Sequence, residues 1–215
     1  LGLYGACSTM AESLLLAASF VNAGYAKRAA ALTSSHFASA ERQYRYPLEY
    51  GGQRPQTAQW TATASGAVVL QKGGMGVRIT HATPGRIADP GVTSQANMGA
   101  AMALSAYETI SRFFQDTHTG PSHYDLIVTG DLGKVGHQIV IDLFQRDGID
   151  MRPTYDDCGL LLYDGSQDVH AGGSGCGCSA AVLCSYILKA MEQGIFRKVL
   201  FCGTGALLSP TSCNQ

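Results

Sequence analysis

A cysteine at the start of an apolar, periodic stretch is the feature of this sequence most able to do chemistry. Cys7 follows a short apolar run with glycines and directly precedes Ser8 and Thr9, either of which can serve as a helix N-cap. The pattern predicts a strand that turns sharply into a helix at Cys7, where unpaired amides and the helix dipole favour a thiolate or a bound anion. Cys7 is therefore a candidate nucleophile or ligand contact, and a small buried residue in a tight turn is the alternative.

Two histidines are placed where an imidazole could contribute to such a site. His170 comes just before the glycine-rich stretch 172–177, where backbone amides and a ring nitrogen could converge on one ligand oxygen. A core or surface histidine is the alternative for this residue. His36 follows Ser34 and Ser35 at the end of a predicted strand, so hydroxyls and an imidazole could face a cleft together.

Charged residues supply two further candidates. Asp131 lies in the turn 129–133 between a predicted strand and a predicted helix, and it is either the helix N-cap or a carboxylate that projects into a cleft. The tract 41–46, together with Arg54, mixes cations and aromatic rings. Such a tract either binds carboxylates or forms a solvated structural loop.

The cysteine content indicates reduced thiols. There are seven cysteines, an odd number without paired spacing, which argues for intracellular thiols and against a disulfide framework. Cys176 and Cys178, with His170 nearby, could suggest a metal site. A single Cys-x-Cys without a second pair favours the packing of small residues instead, so no metal site is predicted.

Size and charge bound the possible classes of protein. The 215 residues, 46% of them apolar, can form one domain or two closely packed ones. A net charge of −1 gives no excess of positive charge that would attract nucleic acid or an acidic membrane, so no nucleic-acid partner is expected. No secretory leader is visible, and no stretch approaches the roughly 18 apolar residues that a spanning helix needs. Leu1 already looks like part of a core strand, so we expect a fragment of a longer protein.

Apolar periodicity predicts alternating helices and strands. The predicted helices cover residues 9–23, 98–115, 134–145 and 180–193. The predicted strands cover residues 28–34, 61–70, 76–83, 124–129 and 198–203. We expect 28–34 to be a buried strand, and 61–70 and 76–83 to pair antiparallel around Gly73 and Gly74. This order predicts an α/β protein of stacked layers.

A break near residues 89–97, rich in turn-forming residues, divides the chain into two halves. The halves 1–89 and 90–215 repeat a weak strand-turn-helix-strand pattern. We therefore predict two halves of related architecture.

Several motifs resemble a known arrangement. Gly5-Ala-Cys-Ser-Thr9, His170 before Gly172-Gly-Ser-Gly175, and the closing Phe201-Cys-Gly-Thr-Gly-Ala206 resemble the nucleophile, histidine and glycine-rich tail segments of the thiolase and ketoacyl synthase superfamily. Longer segments resemble the stage V sporulation protein AD family of spore-forming bacteria, over essentially all 215 residues. These segments are 5–13, 33–37, 40–55, 57–60, 97–103, 124–133, 168–180 and 205–212.

The resemblance implies a fold and a function. The fold would be thiolase-like, with α-β-α-β-α layers, and the chain would lack the first strands and helices and the last strand. The family looks like degenerate thiolases without acyltransferase activity or cofactor. Its members bind dipicolinic acid, alone or with calcium, and load it into the developing spore together with stage V sporulation membrane proteins. The resemblance further implies a homodimer. It implies a cytoplasmic or forespore location, peripheral to the inner spore membrane.

The resemblance also implies a site. Where synthases of the superfamily carry a histidine that polarises a thioester carbonyl, this chain has Asp131, and an anion cannot stabilise a developing oxyanion. Cys7 and His170 would then be vestigial, and Asp131 could bind calcium that accompanies the ligand. The ligand-binding residues would be Cys7, Ser8, Thr9, Ser34, Ser35, His36, Asp131 and His170. The alternatives are an active acyltransferase with Cys7 as nucleophile and His170 as base, acting on coenzyme A or acyl carrier protein thioesters, and a pure assembly scaffold.

Overall fold

Helices and strands alternate along the chain in the computed structural model, which describes residues 1–39, 54–206 and 208. The helices are α1 (Thr9–Asn22), α2 (Met98–Thr117), α3 (Gly133–Arg146), α4 (Cys158–Leu161), α5 (Cys176–Val182) and α6 (Leu188–Glu192). The strands are β1 (Arg28–Ser35), β2 (Trp60–Thr61), β3 (Ala64–Gln71), β4 (Leu126–Thr129), β5 (Tyr155–Asp157), β6 (Gly173–Ser174) and β7 (Val199–Cys202). A π-helical turn, Leu183–Ile187, joins α5 to α6, and 3-10 turns are Ala6–Ser8, Gln95–Asn97, Pro121–His123 and Gly165–Gln167.

The strands form three small sheets. β1 and β3 pair antiparallel in a register that runs from Arg28 opposite Gln71 to Ser35 opposite Ala64. β2 and β6 form a short parallel pair. β4 lies between β5 and β7, parallel to both, and all four of its residues are buried. A parallel strand buried on both faces requires helices on both sides of its sheet.

Two hydrophobic clusters fill the space on the two faces of β4. Ile127 belongs to the cluster formed with α2 and α3, which includes Ile110 and Phe144. Val128 belongs to the cluster formed with α1 and α5, which includes Met10. Neighbouring residues of a strand point to opposite faces, so this split places one helical layer on each side.

The β1–β3 hairpin adds a further layer. α5 and α1 pack against β1 and β3, and on the other side they contribute to the cluster around Val128. The order of layers is therefore β1–β3, then α1 with α5, then β5-β4-β7, then α2 with α3. The α/β layering predicted from the sequence is confirmed, while the division into halves 1–89 and 90–215 stays a prediction.

Local patterns predicted most elements correctly. The three long helices match their predicted ranges within two residues at each end, and the last predicted strand is β7. The predicted helix 180–193 begins earlier, at Cys176, and contains the π-helical turn. The short strand β5 was not predicted.

Three predictions about strands are wrong. Residues 1–5 form no strand, and Leu1 is 99% exposed. β1 is buried on one face only, because its residues alternate and Leu32 is 64% exposed. Residues 76–83 form no strand, since β3 pairs with β1 over eight residues and this pairing places Ala31 and Thr33 against the helical layer.

Helix α5 approaches the hairpin so closely that a glycine is required in the helix. A Cβ atom on Gly177 would lie 2.4 Å from the carbonyl oxygen of Ala64 and 2.9 Å from the amide nitrogen of Ser35. On the other side of the contact, a Cβ on Gly66 would lie 2.6 Å from the carbonyl oxygen of Ala180. All three distances are shorter than real Cβ contacts, so backbone packs directly on backbone here.

Gly177→Ala is expected to lower the free energy of unfolding by at least about 2 kcal/mol, because the added methyl group meets backbone atoms that cannot move independently. Urea unfolding followed by circular dichroism measures the change. The control is Gly120→Ala, since a Cβ there meets nothing within 4 Å and the residue has an extended backbone with φ −152°. Equal losses in both variants would contradict the proposed close contact.

Candidate ligand-binding site

The turn that carries Cys7 is strained and precedes α1 as the sequence predicted. Ala6 has φ +49°, a left-handed conformation that costs a non-glycine residue about 1–2 kcal/mol. Cys7 follows it and is buried. Neither hydroxyl caps the helix: Ser8 Oγ donates to the Gly5 carbonyl at 2.6 Å, and Thr9 Oγ1 donates to the Ala6 carbonyl at 2.7 Å. Ser8 occupies the N-cap position of α1 as predicted, but neither side chain makes a capping hydrogen bond, because both hydroxyls bind carbonyls of the turn instead of helix amides.

The glycine-rich tail packs on this turn. A Cβ atom on Gly205 would lie 2.6 Å from the Gly5 carbonyl oxygen and 3.2 Å from the amide nitrogen of Cys7. A Cβ on Gly203 would lie 3.4 Å from the carbonyl oxygen of Ser8. Two of the three motifs that carry the family resemblance are thus in contact in the structure.

His170 lies on the glycine-rich loop before β6, in a left-handed backbone conformation with φ +52°. Its Nδ1 is 3.1 Å from the carbonyl oxygen of Pro55, and its Nε2 is 3.9 Å from a carboxylate oxygen of Asp168. Because a carbonyl only accepts, Nδ1 carries a proton in this contact. The role of His170 in ligand binding stays a prediction.

An open pocket of about 550 Å³ lies at the end of the β1–β3 hairpin. Three of the eight residues predicted to bind a ligand, Ser34, Ser35 and His36, line it. The other five do not line it, and they are Cys7, Ser8, Thr9, Asp131 and His170. Sequence reasoning missed four other residues of the wall. We call this cavity the serine pocket, and its lining is Ser34, Ser35, His36, Ser39, Thr63, Ala64 and Ser65.

The serine pocket offers hydrogen-bond donors to a ligand. Ser34 and Ser65 are cross-strand neighbours, and within the described residues neither hydroxyl binds a protein group. His36 Nδ1 accepts a hydrogen bond from the Ala38 amide at 3.2 Å, so a neutral His36 carries its proton on Nε2. Two hydroxyls and a ring N–H therefore line the same cavity.

Ser35 ties the pocket to the start of α5. Its hydroxyl donates to the Ala62 carbonyl at 2.6 Å and accepts from the Gly177 amide at 3.0 Å. The Cys176 thiol donates to the Ser34 carbonyl at 3.2 Å. The pocket wall is thus attached to the first turn of α5.

Beside the pocket, two aromatic rings and a cation form a stack. Phe37 and Trp60 lie parallel, with their ring centroids 5.1 Å apart. The Arg54 guanidinium lies 4.5 Å from the Trp60 ring centroid and donates to the Gln59 carbonyl at 2.9 Å. Arg54 therefore supports this surface through a cation–π contact. The tract 41–46 and Cys213 lie outside the described residues.

Asp131 is completely buried and does not begin α3. One of its carboxylate oxygens, Oδ2, accepts hydrogen bonds from Ser174 Oγ at 2.9 Å and from the Gly175 amide at 2.8 Å. The prediction that Asp131 is the helix N-cap is wrong, because another carboxylate fills that role. Its predicted part in calcium or ligand binding stays a prediction.

The carboxylate that caps α3 belongs to Asp157, which comes from β5. It accepts hydrogen bonds from the amides of Leu132 and Gly133 at 2.8 and 2.9 Å, and from the Thr129 hydroxyl at 2.7 Å. Burial raises the pKa of Asp157 from its ordinary 3.8 to about 7, against these hydrogen bonds, which lower it. Asp157 also caps α4 by accepting from the Gly159 amide at 3.0 Å, but its partners at the start of α3 lie 24 to 28 positions earlier in the chain, so no local pattern indicates the contact with α3.

The cysteines of the described part are free thiols. Burial raises the pKa of the Cys158, Cys178 and Cys202 thiols, so these side chains stay protonated at neutral pH. Cys176 and Cys184 are half-buried. In residues 1–39, 54–206 and 208, no group of three or more histidine, cysteine, aspartate or glutamate side chains is placed to hold a metal ion.

The layered fold is that of thiolase-like proteins. A solved structure titled AbyA1, a tetronic acid condensing enzyme, matches with a TM-score of 0.54 and 14% sequence identity, over 89% of this chain and 57% of that one. An identity this low supports the shared fold alone. The alternation of helical layers and sheets around α5 agrees with it.

The sequence defines the family more narrowly. The family model described as Stage V sporulation protein AD (SpoVAD) matches residues 1–215. A curated relative, Stage V sporulation protein AD of Bacillus subtilis (strain 168), is 50% identical over 213 residues, which are 99% of this chain and 63% of the relative. The chain therefore belongs to the stage V sporulation protein AD family, and it spans about three fifths of that relative's length.

Among the helices of the described ranges, none combines the length and the apolar content that crossing a bilayer requires.

The buried Asp157 carboxyl is expected to make stability depend on pH. Its pKa is about 7 in the folded protein and near 3.8 in the unfolded chain, so between these values the folded state binds the proton more tightly. The contribution of Asp157 to stability therefore falls as pH rises from about 4 to 7 and is constant above that. The free energy of unfolding of the wild type, taken relative to that of Asp157→Asn, is therefore expected to fall by up to about 4 kcal/mol over this range, because the asparagine does not titrate.

Urea unfolding at several pH values measures this slope. Asp164→Asn is the control, because hydrogen bonds from Ser166 lower the pKa of that exposed carboxylate and its titration lies below the window. Parallel stability curves for the wild type and Asp157→Asn would contradict the raised pKa of Asp157.

Proposed function

We propose that this chain is a dipicolinic acid binding protein that helps to load the acid into the developing spore and that does not transfer acyl groups. The coarse part of this function, a role in sporulation, follows from the family. The observation that carries the finer part is the serine pocket, which gathers hydroxyls and an imidazole from two strands into one cavity.

The chemistry of the ligand fits the pocket. Dipicolinic acid has two carboxylates in the plane of an aromatic ring, on either side of the ring nitrogen, and it needs several donors in a concave site. Ser34, Ser65 and His36 Nε2 provide such donors, and hydrogen bonds to a carboxylate are stronger than those between neutral groups. A volume of about 550 Å³ lies within the range of sites for small molecules.

The carboxylate of Asp131 argues against acyl transfer. Synthases of the superfamily need a donor for the developing oxyanion where this chain has a carboxylate that accepts from Ser174 and Gly175. Calcium that accompanies the ligand, the membrane proteins of stage V sporulation, a homodimer and a forespore position at the inner membrane are further parts of this proposal.

Isothermal titration with dipicolinic acid, with and without calcium, tests the binding function on the full chain. Ser34→Ala and Ser65→Ala are each expected to weaken binding by about tenfold, the loss of one hydrogen bond to a charged group. The control is Ser19→Ala, an exposed hydroxyl of α1 that donates to the Leu15 carbonyl at 2.8 Å. Saturable binding that both pocket variants leave unchanged would exclude the serine pocket, and no binding by folded protein would exclude the function.

A second candidate function is acyl transfer from a thioester to Cys7. The observation that favours it is the strained turn at Ala6, which places a cysteine at the start of a 14-residue helix. A fixed turn of this kind, with glycines of the tail packed on it, is also suited to a nucleophile.

Intact-mass measurement after incubation with an acyl-coenzyme A at neutral pH separates the two functions. We expect no stable acyl group on Cys7, because Asp131 cannot donate to an oxyanion. The Cys7→Ser variant shows whether any adduct found on the wild type lies at this residue. Stable acylation of Cys7 would overturn the non-enzymatic function.

A further inference from the structure

Asp131 does not line the serine pocket, yet hydrogen bonds connect it to the pocket wall. This inference rests on the proposed function of that pocket. The first link joins the turn after β4 to the end of β6 and the residue that precedes α5: the buried Asp131 carboxylate binds the hydroxyl of Ser174 at 2.9 Å and the amide of Gly175 at 2.8 Å through one oxygen. Ser174 is itself completely buried.

The second link joins this loop to Ser35. Gly175 has φ +97° and ψ 158°, a conformation that is essentially restricted to glycine. A Cβ atom built on Gly175 would lie 3.0 Å from Ser35 Oγ and 3.4 Å from Ser35 Cβ. The position that Asp131 gives to Gly175 therefore determines how closely the loop can approach the pocket wall.

The third link extends over the next two residues of the chain. The Cys176 thiol donates to the Ser34 carbonyl at 3.2 Å, and the Gly177 amide donates to Ser35 Oγ at 3.0 Å. Two adjacent residues of the pocket wall are therefore held by the first two residues of α5.

We propose that Asp131 is a positioning residue for the serine pocket: its buried carboxylate holds residues 174 and 175, and the first two residues of α5, which follow directly, hold Ser34 and Ser35 in the orientation that binds dipicolinic acid. Asp131 itself contacts neither the acid nor its calcium. The superfamily's donor position thus serves here to shape a pocket on the neighbouring sheet.

Three variants test this proposal. Asp131→Ala removes both acceptor contacts to the loop, whereas Asp131→Asn keeps an oxygen that accepts them. Asp157→Ala is the matched control, since Asp157 is an equally buried carboxylate that binds the starts of α3 and α4 and has no hydrogen bond to residues 174–177. Two quantities are measured: the Kd for dipicolinic acid with and without calcium, and the rate at which iodoacetamide alkylates Cys176, located by peptide mass spectrometry.

Asp131→Ala is expected to raise the Kd about tenfold and the alkylation rate of Cys176 by a similar factor, because the loop is released from Ser34. Asp131→Asn is expected to keep both values within about threefold of the wild type, since a neutral acceptor replaces a charged one. Asp157→Ala is expected to lower the unfolding midpoint while the alkylation rate of Cys176 in the folded protein stays at the wild-type value.

Two results would overturn the proposal. One is an alkylation rate of Cys176 in Asp131→Ala equal to that of the wild type. The other is a loss of the calcium-dependent part of binding in Asp131→Asn, which would make Asp131 a calcium ligand. If folded wild type binds no dipicolinic acid, the proposed function fails, and the alkylation rates alone decide whether Asp131 positions the loop.

Discussion

Direct contact between the backbone of helix α5 and the backbone of the β1–β3 hairpin is the constraint on which the rest of the structure depends. Gly177 and Gly66 leave no room for a side chain between the two elements. This contact sets the height of α5 over the hairpin, and the opposite face of the helix then meets the buried sheet around Val128. The serine pocket lies at one end of the same contact, so its shape follows from packing of the core.

Two buried carboxylates fix the turn after β4, each through a different set of hydrogen bonds. Asp157 binds the amides that begin α3, while Asp131 faces the loop before α5. A charged group buried this deeply is stable only when several donors surround it. Each carboxylate therefore joins two elements that are distant in sequence, and together they connect the sheet to the helical layers on both of its sides.

Local patterns in the sequence predicted what depends on neighbouring residues. The helix after Cys7 and the helix over 98–117 follow from apolar periodicity, and the cluster Ser34, Ser35, His36 follows from its position at a strand end. Ser65 could not be found in this way, because only the antiparallel register places it beside Ser34. The capping of α3 by Asp157 was missed for the same reason, since a nearby Asp131 fits the usual N-cap pattern equally well.

The distribution of thiols has a consequence for oxidative damage. Peroxides react with the thiolate form of cysteine, and burial keeps Cys158, Cys178 and Cys202 as thiols. Cys176 is half-buried and binds the Ser34 carbonyl, so a sulfenic or sulfinic acid formed there would add oxygen atoms at the pocket wall. Oxidation of this one sulfur would therefore change the serine pocket while leaving the core of the protein intact.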